Sequence, residues 1–65
     1  MTIVKFEDIR VLDYCWPGTR AWFEHHGLDY RQFVRSGIPA EQILATGDAM
    51  AARVVEAAKR REANE

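Results

Sequence analysis

Phe6, Ile9 and Leu12 recur at helical spacing, with Cys15 or Trp16 next in the series, and this predicts a first helix over residues 6–14. The β-branched run Thr2-Ile3-Val4 before it is too short to be a strand without a partner, so residues 1–5 read as an extended arm. Pro17 disfavours helix at the residue before it and suits a helix's first position, so "CWPG" ends one helix and opens the next. Thr19, Trp22, Phe23 and His26 then share a stripe over residues 17–26, and Gly27 supplies the left-handed stop. Asp29 is placed to cap a third helix, with Gln32 three residues on and Leu28 and Phe33 as a hydrophobic staple. Tyr30, Phe33 and Val34 face inward, and Gly37 closes the helix. Pro39 opens a fourth, with Ile43 and Leu44 directed to the core. Gly47 either breaks or kinks the path into a last helix that Asp48 can cap and that runs to about Arg61. Its apolar stripe is Met50, Ala51, Val54, Val55 and Ala58, and the charged residues lie mostly outside it. The expectation is an all-α bundle of four or five short helices, the longest C-terminal, with residues 62–65 a frayed tail.

At 65 residues this is one small domain. A chain of that size buries only about 60% of its unfolded surface, so its core is marginal. Cys15 is the only cysteine, which excludes an internal disulfide and suits a reducing cytoplasm. Charges at Lys5, Glu7 and Asp8 interrupt any secretory apolar run, and no stretch approaches the ~20 apolar residues of a membrane span. A soluble cytoplasmic protein without membrane contact is expected.

Nine basic residues against ten acidic ones give a formal charge of -1, without the basic excess that phosphate neutralisation favours. Helices two and three could still form a helix-turn-helix, with Arg31, Gln32 and Arg35 carrying donors for guanine or phosphate. Glu24 and Asp29 offset that charge, and glycine turns between short helices are also how small bundles are built. The adjacent His25 and His26 point about 100° apart on a helix and do not chelate on one face, so they read as imidazoles favoured by a helix C-terminus. Cys15, between Tyr14 and Trp16, reads as a small hydrophobe. No phosphate-cradling glycine spacing and no pocket-forming carboxylate pair is evident; no enzyme activity, metal or cofactor is expected.

All seven aromatic residues fall in the first half of the chain. Most belong in the core, but burying all of them in so small a domain is hard, and Trp, Tyr and Arg dominate binding hot spots. Trp16, beside a proline-glycine turn, with Arg20, Tyr30, Arg31 and Arg35, is therefore the expected protein-binding set. Met50, Ala51, Val54 and Ala58 offer a homodimer seam, unless that stripe completes the chain's own core.

The patterns "YC..G.R.WF..HGLD" and "F...GI.AE..LATGDAMA", within Asp8 to Ala58, resemble small proteins encoded in tailed phages and prophages of proteobacteria. The resemblance implies a setting rather than a site. Small phage proteins of this kind act by binding, as assembly factors, as modulators of transcription, or as inhibitors of a host or defence complex. Read with the composition, it makes a host or phage protein the expected partner and nucleic acid the alternative.

Overall fold

The structure, a computed structural model, describes the backbone of residues 1–65 and every side chain except that of Trp16. Five helices are joined to a two-stranded sheet: β1 (Ile3–Val4), α1 (Phe6–Arg10), α2 (Trp16–His25), α3 (Tyr30–Ser36), β2 (Ile38–Pro39), α4 (Ala40–Leu44) and α5 (Ala49–Ala63). The fold is mostly helical with its longest helix at the C-terminus, but the sheet makes it other than all-α.

That sheet gives the extended arm of residues 1–5 the partner it lacked, and makes Ile3 and Val4 a strand. β1 pairs antiparallel with β2, Ile3 opposite Pro39 and Val4 opposite Ile38, and Ala40 N–H donates to Thr2 C=O at 2.9 Å. Pro39, which has no N–H to offer, is therefore in the sheet, and α4 begins one residue later. Gly37 makes the pairing feasible. Its φ is +83°, and a Cβ built there would lie 2.7 Å from the Val4 carbonyl oxygen. Only glycine lets the chain turn that closely onto β1.

α1 is shorter than its periodicity predicts. Leu12 N–H and Asp13 N–H bond back to Ile9 and Arg10 in tight three-residue steps, and Asp13 then takes a left-handed φ of +58°. Aspartate is among the few side chains that tolerate this region, so it serves here as a stop. The other boundaries follow the expected punctuation. At the end of α2, Gly27 has φ +68° and Leu28 N–H reaches the Phe23 carbonyl at 2.8 Å, the long bond of a Schellman motif. Asp29 caps α3 by accepting from Gln32 N–H at 3.0 Å. Gly47, φ +74°, breaks α4 from α5, and Asp48 caps α5 through Met50 N–H at 2.8 Å.

The core gathers Val4, Ile9, Phe23, Phe33, Ile38, Ile43, Ala51, Val54, Val55 and Ala58. Phe23 and Phe33 stack at 4.6 Å between centroids, with Phe6 and Tyr30 packed around them. Each buried phenylalanine contributes about 1.5–3 kcal/mol of hydrophobic stabilisation, a large share in a domain this small. Two residues expected inward face out instead: Val34 is 44% exposed and Leu44 47% exposed. In each case the neighbouring residue, Phe33 or Ile43, takes the core position, and the next side chain on a helix points about 100° away.

Two polar links tie distant segments together. Trp22 Nε1 donates to Asp48 Oδ2 at 2.9 Å, so the residue capping α5 also holds α2. At the other end of α5, Arg61 Nε and Nη2 meet the buried Asp8 carboxylate at 2.9 and 3.3 Å, and Nη2 also donates to Ile3 C=O at 2.7 Å. Glu62 Oε2 accepts from Ile3 N–H at 3.1 Å. The side chains of Arg61 and Glu62 therefore take both backbone groups of Ile3, bonding β1 where a third strand would. The expectation of a frayed tail at 62–65 is corrected on the same ground: the helix persists to Ala63, and Glu62 holds the N-terminal strand.

Candidate protein-binding face

α2 and α3 lie next to each other through the Gly27 turn, and the joint is fixed by the Gly27 and Asp29 caps described above. Arg20 is exposed on α2, one turn before Glu24, and the two form an ion pair at 3.2 Å. Tyr30, Arg31, Val34 and Arg35 project from α3, where positions four apart stand above one another. These side chains, with Leu28 and Asp29, line a single open groove of about 820 Å³. The structure thus brings together Arg20, Tyr30, Arg31 and Arg35 of the expected set. The contact expected of Trp16 lies outside the described side chains.

The groove's chemistry is mixed. Three arginines face two carboxylates, Glu24 and Asp29, a local net of +1. Glu24 is engaged by Arg20, and one Asp29 oxygen by the helix it caps. Arg31 and Arg35 have no ion-pair partner among the described residues. Half-buried Leu28 and Tyr30 and the exposed Val34 add apolar surface. The Tyr30 hydroxyl is itself buried and has no hydrogen-bond partner among the described residues. An unpaired buried hydroxyl costs about 1–3 kcal/mol.

Sequence reasoning placed Glu24 and Asp29 beside these arginines as offsetting charges, but missed Val34 and Leu28 as members of this face. The available signal for Val34 was its place in the Tyr30-Val34 and Arg31-Arg35 ladders, one step off the core position of Phe33.

The expected dimer seam is corrected. Ala51, Val54 and Ala58 are buried in the chain's own core and have no surface left to share, while half-buried Met50 packs against it. His25 and His26 meet ring to ring at 4.9 Å in a T-shape, and His26 Nε2 lies 3.9 Å from Asp48 Oδ2. Hydrogen bonds from Trp22 and Met50, with a smaller contribution from the two imidazoles, hold the Asp48 pKa below its ordinary 3.8. Among the described residues no cluster of three or more His, Cys, Asp or Glu side chains is placed to hold a metal, and no helix is long and apolar enough to cross a membrane.

No protein-family model, curated protein or solved structure matches this chain.

Proposed function

We propose that this chain is a small accessory protein of the phage or prophage type that works in the host cytoplasm by stoichiometric binding of a host or phage protein, as an assembly factor or as an inhibitor of a host or defence complex. The observation that carries the binding mode is the α2–α3 groove, in which unpartnered Arg31 and Arg35 flank Val34 beside Leu28 and Tyr30. Arginine and tyrosine are among the residues enriched at protein-binding hot spots, and Leu28 and Val34 add apolar surface around them. The resemblance of "YC..G.R.WF..HGLD" and "F...GI.AE..LATGDAMA" to phage-encoded proteins supplies the setting.

The same groove weighs against the alternative of a helix-turn-helix DNA reader. Base recognition there would insert the N-terminal residues of α3 into a groove walled by phosphates. Asp29 stands at that N-terminus and Glu24 beside it, so two carboxylates would meet the phosphates together with the arginines. The test compares wild-type protein with an Arg31→Glu, Arg35→Glu variant in affinity capture from host and phage-infected lysate treated with nuclease, alongside titration with duplex DNA. The expected result is a protein retained in stoichiometric amount by the wild type, lost with the variant at unchanged helicity, and negligible DNA binding. DNA affinity that falls steeply with salt and is lost with the variant would replace this reading with the regulator.

A further inference from the structure

The outward face of α5 is free in the monomer. Ala51, Val54, Val55 and Ala58 take one side of the helix into the core, which leaves Ala49, Ala52, Arg53, Glu56, Ala57 and Arg60 on the other. Most of that face lines an open groove of about 700 Å³ between α1 and α5, also lined by Val11, which at 74% exposure is the most exposed large apolar side chain after Met1 among the described residues. Arg53, Glu56 and Arg60 carry opposite charges three and four residues apart. None of them has an ion-pair partner among the described residues.

The order of these residues is self-complementary. Residues 52–57 read Ala-Arg-Val-Val-Glu-Ala. Turned end for end, the segment sets arginine against glutamate twice and alanine against alanine twice. We propose that this face joins two copies of the chain, α5 antiparallel to α5, about a two-fold axis between positions 54 and 55.

In that arrangement Arg53 lies at the same height as the partner's Glu56, and Glu56 at that of the partner's Arg53. Both residues sit within about 30° of the pole opposite the core, where facing helices come closest. Ala49, Ala52 and Ala57 present only methyl groups, which leaves room beside the pole for the Arg53 and Glu56 side chains to lie across the seam. The charges also fix the register. Sliding one helix so that Arg53 faces the partner's Arg60 replaces two attractive pairs by two repulsive ones. A two-fold interface must be complementary to itself, and alternating small and oppositely charged positions satisfy that condition. This seam is separate from the α2–α3 groove, and neither proposal needs the other.

The experiment is sedimentation equilibrium on the wild type, on Arg53→Glu, on Glu56→Arg, and on an equimolar mixture of the two variants. Every altered position is exposed, and far-UV circular dichroism confirms the fold of each. The wild type is expected to associate to a dimer that weakens as salt is raised. Each single variant faces two like-charge contacts, and its dimer dissociation constant is expected to rise roughly tenfold or more. The mixture is expected to recover a dimer, because the first variant's acidic seam matches the second's basic one. A wild type that stays monomeric at its highest soluble concentration overturns the proposal. So does a dimer indifferent to both reversals, or a mixture that remains monomeric.

Discussion

Replacing Arg61 by methionine keeps most of the side chain's bulk and removes its guanidinium, and it tests how much of this fold hangs on one polar clamp. Asp8 is 1% exposed and accepts from Arg61 twice and from Lys5 N–H at 2.8 Å. In Arg61→Met its carboxylate stays buried with the Lys5 N–H alone, and the Ile3 carbonyl loses its donor. Breaking a buried pair from one side costs about 3–5 kcal/mol. A domain of 65 residues has a total stability on the order of 3–10 kcal/mol, so the variant should be at or near the unfolding threshold. By the usual scaling its Tm falls by on the order of 20 °C. Asp8→Asn should be milder, roughly 1–2 kcal/mol, since an amide oxygen can still accept from Lys5. Arg61 would also keep Glu65 at 2.7 Å, with Glu7 at 3.6 Å. Because the two residues form one unit, the double variant should lose clearly less than the sum of the singles, with a coupling energy of about 2 kcal/mol or more. Urea unfolding followed by circular dichroism measures all four proteins. The reasoning is refuted if Arg61→Met lies within about 1 kcal/mol of the wild type, or if the two losses simply add.

Gly37→Ala should destabilise by more than about 2 kcal/mol and loosen β1, whereas Gly27→Ala, with the same φ sign but open space around its Cβ, should lose only the backbone strain of about 1–2 kcal/mol; thermal melts rank them. Val54→Asp should unfold the chain rather than release a folded monomer, since Val54 is 2% exposed within the core; loss of far-UV helicity at every concentration is the readout. The pKa values of Asp48 and Glu62 are both depressed on folding, the second chiefly by the Ile3 N–H. Their contribution is therefore present above the unfolded values of 3.8 and 4.5 and is lost as pH falls through and below them. Melting temperature should drop through that acid range, and Asp48→Asn should flatten the drop while lowering the plateau.

Most helix boundaries were legible because their causes are local, the early stop of α1 before Asp13 being an exception. Gly27, Gly37 and Gly47 all adopt positive φ, and Asp29 and Asp48 accept from the backbone of the first turn they precede. A reader needs only a few neighbouring residues to see such signals. The sheet was not legible, because a two-residue strand has no periodicity and its partner lies some 35 positions away. Ile38-Pro39 looks like a helix opening for the same reason that it suits β2: proline cannot donate, and position 39 needs no donor. Of the candidate face, Arg20, Tyr30, Arg31 and Arg35 were legible from residue type, while Val34 was hidden by an apolar character that suited the core equally well.

The clamp at the end of α5 shows where composition misleads. "KRREANE" reads as a solvated tail when its charges are counted together. Taken by position, Arg61 and Glu62 stand three and four residues beyond Ala58 and continue the face that buries Ala51, Val54 and Val55. At that end of the helix the core has run out and the neighbour is the backbone of β1, which needs a donor and an acceptor rather than more apolar surface. A charged pair meets that need, and Asp8 supplies the counter-charge that lets the guanidinium sit there. The inner face of α5 is thereby committed along its whole length, apolar first and polar at the end. What remains free for recognition is its outer face, with Arg53 and Arg60, and the α2–α3 groove, with Arg31 and Arg35, four arginines that have no ion-pair partner among the described residues.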